Sequence, residues 1–208
     1  MEIRIALPKG RLGQKAYGIL KNNGYECPEM EEDSRKLVFK NHEKNITYFL
    51  VKPSDVPTYV ERGAADIGIV GKDTLLEENP DVYELLDLGF GKCKFAIAAP
   101  VGFVEDEGKT LIVATKYVNV AKDYYEKKER KIDIVKLNGS VELGPLVDLS
   151  HVILDIVETG STLKENNLEV IEDVAYISSR LISNKSSYKF KREKIDGIVE
   201  ALEKSITE

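Results

Sequence analysis

The stretch richest in groups able to do chemistry is Asp155-Ile156-Val157-Glu158-Thr159-Gly160-Ser161-Thr162-Leu163. An apolar run, Val152-Ile153-Leu154, leads into a carboxylate, then a small hydroxyl-rich turn, then the expected start of a helix at Leu163. A strand–turn–helix junction of this kind aims several backbone N–H groups at one point, beside the positive end of a helix dipole. Thr159, Ser161 and Thr162 add hydroxyl donors, and Gly160 lets the backbone come close to a ligand. A phosphate monoester fits there, with Asp155 and Glu158 available to ribose hydroxyls. The same residues also describe an Asp/Thr-rich turn with a helix cap, and the local pattern leaves both readings open.

Three further stretches carry weaker signals. In Leu137-Asn138-Gly139-Ser140-Val141-Glu142-Leu143-Gly144-Pro145 a strand ends, Asn-Gly turns the chain, and Ser140 is expected to cap a short helix with Glu142 in its first turn. Taken alone, that is a capped helix with a favourable acid. In Leu7-Pro8-Lys9-Gly10-Arg11-Leu12 two cations flank a glycine at a strand-to-helix junction, where open α/β sheets place ligands. The GxxxxGK[ST] spacing of a Walker loop is absent, and two such cations alone read as solvated. In Asp66-Ile67-Gly68-Ile69-Val70-Gly71-Lys72-Asp73 the glycines either admit a flat ring or pack a strand tightly on a helix. Arg35 and the Thr115-Lys116-Tyr117 corner are further candidate phosphate contacts.

The elements that must position these residues follow from periodicity. Ile3, Ile5 and Leu7 alternate as in a strand, and Leu12, Ala16, Ile19 and Leu20 recur at helical spacing before Gly24. Further strands are expected at 46–51, 65–71, 95–99, 111–114, 132–137 and 151–157, with one long extended stretch over 170–182. Helices are expected over 53–62, 72–78 and 119–128, and Ile195, Ile198, Val199, Leu202 and Ile206 mark a last one. Residues 102–108 and 184–187 are expected as surface loops. Strands alternating with helices indicate an α/β protein with a mainly parallel sheet.

Composition bounds the function. The chain has 208 residues, 42% hydrophobic and 32% charged, enough for a sizeable core. Its net charge of −6 argues against nucleic acid as a partner. No apolar run approaches the roughly 20 residues of a membrane span, and the start lacks a signal-peptide pattern, so a cytoplasmic location is expected. Cys27 and Cys93 form no CxxC, and His42 and His151 are isolated. A resident transition-metal site is therefore not expected; a hard ion such as Mg²⁺, brought in with a phosphate substrate, is.

Together the stretches resemble one family, ATP phosphoribosyltransferase. Its signature couples a Glu to a downstream Asp-aliphatic-x-x-[Ser/Thr]-Gly-x-Thr-Leu, matched here by Glu142 and Asp155 to Leu163. The blocks at 7–12, 66–73, 114–117 and 139–143 follow the family order. The resemblance implies that adenine N1 of ATP attacks C1 of 5-phosphoribosyl 1-pyrophosphate, giving N1-(5-phosphoribosyl)-ATP and pyrophosphate, with Mg²⁺ on the pyrophosphate. It implies phosphoribosyl binding by Asp155, Glu158, Thr159, Gly160, Ser161, Thr162 and Leu163. It implies ATP binding by Lys9, Gly10, Arg11, Arg35, Asp66, Gly68, Gly71 and Glu142. Glu142, Asp155, Lys9 and Arg11 are the expected catalytic groups.

The resemblance also implies a two-lobed fold like type II periplasmic binding proteins, with a central cleft and a two-strand hinge. Lobe I would be residues 1–90 plus 176–208, and lobe II residues 91–175. The length matches the family's short form, which works with a histidyl-tRNA-synthetase-like regulatory subunit; a homodimer is expected of the chain alone. One segment departs from the family: Asp148-Leu149-Ser150-His151 stands where Gly-Leu-Ala-Asp is usual. That departure keeps a catalytically silent paralogue as an alternative, beside a two-lobed small-molecule binding module.

Overall fold

Ile3, Ile5 and Leu7 face one way from the first strand and Ala6 the other, and both sets are buried, so this strand lies inside a sheet covered on both faces. The computed structural model describes residues 1–31 and 35–207. The chain forms β1 (Ile3–Pro8), α1 (Arg11–Asn22), β2 (Val38–Asn41), β3 (Ile46–Val51), α2 (Val56–Glu61), β4 (Ile67–Gly71), α3 (Lys72–Glu78) and β5 (Tyr83–Asp87). It continues through β6 (Cys93–Pro100), β7 (Leu111–Thr115), α4 (Val118–Lys127), β8 (Ile132–Lys136), α5 (Leu143–Leu146), β9 (Val152–Val157), α6 (Ser161–Glu165) and β10 (Leu168–Ile177). It ends with β11 (Ser179–Ser183), α7 (Lys185–Phe190) and α8 (Arg192–Thr207).

Two units result, Met1–Gly91 with Ser178–Glu208, and Lys92–Ile177. The first is built on a six-stranded sheet ordered β2-β3-β1-β4-β11-β5. One face packs Ile5, Leu7, Ile67, Ile69 and Leu181 against α1 and α8 through Leu20, Ile195 and Leu202. The other packs Ala6, Val70 and Ile182 against Val56 and Val60 of α2. The second unit is built on a five-stranded sheet ordered β10-β6-β9-β7-β8, with Ala98, Ala114, Ile153 and Leu163 in its core. Among the described residues no helix is long and apolar enough to cross a membrane.

Several expectations need correction. The sheets are mixed: β1 pairs parallel with β3 and β4, and β7 with β8 and β9, but every other pair is antiparallel. The extended stretch 170–182 is two strands, β10 and β11, in different sheets on either side of Ser178. Strand β5 is an edge, half exposed, so Tyr83-Glu84-Leu85-Leu86-Asp87 shows no alternation to read. Residues 184–187 are the start of α7, where the Asn184 side chain accepts from the Ser187 N–H at 2.9 Å and caps the helix.

Candidate active site

In the second unit β9 delivers Asp155, and the turn after it folds back as α6. That helix begins at Ser161, two residues ahead of the sequence expectation, because Gly160 takes a left-handed conformation (φ 75°, ψ 7°) that turns the chain into it. Lys164 N–H closes the first helical bond, onto the Gly160 carbonyl at 3.2 Å, leaving the preceding amides at the open end. Thr159 Oγ1 and Ser161 Oγ lie 3.0 Å apart on the exposed rim. Leu163 points inward and is buried against Val157. Glu142 and residues 155–163 line one pocket of about 340 Å³, so residues thirteen or more apart in sequence meet at a single site. Asp155 is half-buried. Burial pushes its carboxyl above the ordinary range, and the Glu142 charge adds to that, while the Ile156 N–H and Lys116 pull the other way.

The Glu142 segment is held differently from the expectation. Ser140 has φ 48° and its carbonyl, not its hydroxyl, receives the Leu143 N–H at 3.1 Å, so it caps nothing; α5 has no side-chain cap. Gly144 is required, since a Cβ there would lie 2.6 Å from Ser150 Oγ and 2.9 Å from Ala114 Cβ. Asp148, in place of the family's glycine, has φ 57°, a left-handed conformation that Asp tolerates better than most residues. His151, in place of an Asp, uses Nδ1 to accept the Ile112 N–H at 3.0 Å, an acceptor role open to a carboxylate too. Of the 115–117 corner, Thr115 is buried with its hydroxyl on the Leu154 carbonyl at 2.7 Å, and Tyr117 is buried; Lys116 alone is exposed.

In the first unit the basic turn ends β1. Lys9, Gly10 and Arg35 line a pocket of about 440 Å³ whose apolar wall includes Tyr17, Met30 and Leu50. Arg11 is exposed and outside that lining. Gly10 (φ 97°, ψ −165°) turns the chain into α1. Sequence reasoning missed Gly13: a Cβ there would sit 1.7 Å from the Pro8 carbonyl oxygen, so α1 can start against the end of β1 only with glycine. Its signal was a second small residue three after Gly10.

Asp66 and Gly68 are not where a ligand could meet them. Asp66 is 0% exposed and accepts from Arg4 N–H, Ser187 Oγ and Lys191 Nζ at 2.8, 2.7 and 2.8 Å. Burial raises its carboxyl, but the Lys191, Ser187 and Arg4 contacts outweigh that and leave it below the ordinary range. Gly68 is buried under α2, where a Cβ would lie 2.8 Å from both Val56 Cγ1 and Val60 Cγ2. Tight strand–helix packing is therefore the reason for that glycine. Gly71, at the end of β4, is half-buried, with space limited only by the Asp73 side chain. Among the described residues no three His, Cys, Asp or Glu side chains gather as a metal site.

Comparison with known proteins bears on these sites. A family model described as HisG: ATP phosphoribosyltransferase matches residues 52–204. An ATP phosphoribosyltransferase from Brachyspira hyodysenteriae is 59% identical over 97% of this chain and 98% of its own length. Another, from Clostridioides difficile, is 55% identical over 97% of each. Among solved structures, a chain of the ATP phosphoribosyl transferase (HisG:HisZ) complex from Thermotoga maritima superposes with a TM-score of 0.85 at 39% identity, covering 98% of this chain and 97% of that one. The periplasmic aliphatic sulphonate binding protein SsuA from Escherichia coli superposes with a TM-score of 0.62 at 12% identity, over 99% and 72%. That second likeness is one of fold, the two-lobed type II periplasmic-binding-protein fold.

Proposed function

Since this chain belongs to the ATP phosphoribosyltransferase family, we propose that its two pockets divide the substrates of that reaction. The activity joins N1 of ATP to C1 of 5-phosphoribosyl 1-pyrophosphate with release of pyrophosphate, the first step of histidine biosynthesis. The observation that carries the division is the second unit's pocket, where Glu142 and Asp155 face the Thr159–Thr162 turn. In our reading the turn's amides and the Thr159, Ser161 and Thr162 hydroxyls grip the 5-phosphate. Glu158 and Asp155 hold the ribose hydroxyls. As the C1–O bond to pyrophosphate breaks, the ring gains positive charge, and the Asp155 carboxylate stabilises it.

The first unit's pocket combines cations at Lys9 and Arg35 with an apolar wall at Tyr17 and Leu50, the pairing of charge and apolar surface that a nucleotide calls for. We assign ATP to it, with Gly10 giving close approach and Arg11 and Gly71 serving it from outside the lining. Attack through N1 makes the exocyclic amine acidic, and Glu142 is our candidate base for that proton. Magnesium enters as part of the pyrophosphate substrate, which its oxygens suit and which needs no resident cluster of protein ligands. A HisZ-type, histidyl-tRNA-synthetase-like regulatory subunit is the proposed partner, on the precedent of the Thermotoga maritima complex. The cytoplasm is the proposed location and a homodimer the proposed state of the isolated chain.

A silent paralogue is disfavoured by the corner at 148–151, since Asp148 has a left-handed backbone and His151 fills an acceptor position. The test mixes purified chain with ATP, phosphoribosyl pyrophosphate and Mg²⁺, with and without the regulatory subunit, and measures N1-(5-phosphoribosyl)-ATP and pyrophosphate. Equimolar formation of both is expected. Ligand binding without either product would refute the proposed roles.

A further inference from the structure

His151 sits immediately ahead of β9 and is joined to Ile112 by two bonds. Its own N–H donates to the Ile112 carbonyl at 2.9 Å, and its ring Nδ1 accepts the Ile112 N–H at 3.0 Å. A ring nitrogen that accepts carries no proton, so in the neutral imidazole the hydrogen is on Nε2. Protonation would place a second N–H against the Ile112 N–H, donor facing donor, and the bond would be lost.

That bond is the entry pin of β9. The strand then pairs with β7 as Val152 with Val113, Ile153 with Ala114 and Leu154 with Thr115. The pairing with β7 ends where the Thr115 hydroxyl donates to the Leu154 carbonyl at 2.7 Å; β9 itself runs on to Val157, and Asp155, the next residue, stands opposite Ala96 of β6. On the other side, Leu149 and Ser150 N–H both donate to the Gly144 carbonyl, at 2.9 and 3.3 Å, which ties the corner to α5 just after Glu142. The His151 ring is thus the side-chain tie at the start of the segment that joins the two carboxylates of the pocket, while β6 supports the segment's far end.

We propose that the His151 imidazole is a pH-sensitive positioning residue, fixing the entry of β9 through the Ile112 amide and with it the seats of Asp155 and Glu142. The inference rests on assigning those carboxylates to the phosphoribosyl site. The ring is exposed, so the proton arrives from solvent. The charged groups around it are Asp106 and Lys109, paired at 3.1 Å, and Arg130, held by Glu105 at 2.7 Å. Asp148 lies on the corner itself, Lys131 gives its carbonyl to Leu111 N–H, and Asp133 stands opposite Ile112 on β8. These acids and bases are mixed, and none takes the Nδ1 position from the Ile112 amide.

The test compares wild type with His151→Asn, His151→Asp and His151→Leu. The Ile112 amide is followed by NMR shift and hydrogen exchange in the substrate-free chain over about pH 8 to about pH 5, where imidazoles as a class change charge. In wild type the amide should lose protection with the midpoint of the ring. The KM for phosphoribosyl pyrophosphate should rise about threefold to tenfold, as expected for one lost hydrogen bond, with the KM for ATP unchanged. The Asn and Asp variants keep an acceptor and should hold the Ile112 amide flat, leaving in the KM only the change that the substrate phosphate's own ionisation brings, whereas the Leu variant should show the unprotected amide throughout. An Ile112 amide indifferent to the ring's titration overturns the proposal, as does a KM rise in His151→Asn as large as in wild type. Were the phosphoribosyl assignment itself at fault, that substrate would not bind at either pH, and the Ile112 amide would still judge the brace.

Discussion

Replacing Gly160 separates backbone geometry from every other property of the proposed phosphate loop. Its φ of 75° lies in the left-handed region, and a Cβ built there meets only Val157 Cγ1, at 3.8 Å, an ordinary contact. The penalty of a side chain is therefore conformational and not steric crowding by the protein. For a non-glycine residue it is about 1–2 kcal/mol, larger for a β-branched one. Gly160→Ala should weaken phosphoribosyl pyrophosphate binding about fivefold to thirtyfold as the turn relaxes out of its phosphate-gripping form. Gly160→Val should exceed that, and Gly160→Asn, which tolerates the conformation, should fall short of it. Calorimetric titration with the magnesium salt of phosphoribosyl pyrophosphate, and separately with ATP, measures both arms, while a melting curve reports the fold. Equal loss for the two ligands, or an Asn variant as impaired as the Val variant, would refute the reasoning.

Three other outcomes are expected. Lys9→Ala and Arg11→Ala should each lower turnover about 10- to 150-fold, the worth of a charge-assisted phosphate contact of about 1.5–3 kcal/mol, with unchanged melting; wild-type kinetics in both would remove the basic turn from the mechanism. Asp66→Asn should destabilise the protein by up to about 3 kcal/mol, at the low end for a broken buried pair because Lys191 retains a route to solvent. Because the Asp66 carboxyl is held below its usual range, this contribution is complete above the unfolded value of about 3.9 and fades as pH falls through the lower folded value. Urea melts should therefore show wild type and variant converging only in strong acid, and a gap that closes already near neutrality would contradict the network. Glu142→Gln removes a negative charge that helps hold Asp155 up, so the Asp155 carboxyl, followed by carbon NMR in the substrate-free chain, should titrate at lower pH than in wild type; an unmoved midpoint would mean the two carboxylates are not coupled.

The strand–turn–helix at 155–163 and its gathering into one pocket were readable because they are written in residue types: hydroxyls, a glycine and two acids in nine consecutive positions. What hid elsewhere was the surroundings. Gly68 left two readings open, an opening for a flat ring or tight strand–helix packing, and Val56 and Val60 of α2, which fill the space above it, decide for packing. Asp66 read as a ligand group because nothing near it in sequence reveals Ser187 and Lys191, which reach it from more than a hundred residues away. Ser140 read as a cap because serines commonly are, whereas the helix starts later and Glu142 takes the N-cap position. Strand β5 and helix α7 escaped for opposite reasons, one an edge with no alternation, the other a helix whose polar start looks like a loop. The 148–151 departure, legible only as a mismatch, became intelligible once φ at Asp148 and the acceptor at His151 were known.

The position of β11 between β4 and β5 has a consequence for how the chain is made. A ribosome releases β5 long before β11, with all of Lys92–Ile177 emerging between them. Until Ser179–Ser183 appears, β4 has no neighbour on that side and β5 has no strand to pair with. The inserted unit, whose strands all lie within one uninterrupted stretch, can close first, while the unit that starts the chain is the last to finish. Nascent chains stalled before residue 179 therefore expose the apolar flank of β4, including Ile69, and synthesis through Ser183 is the step that seals it.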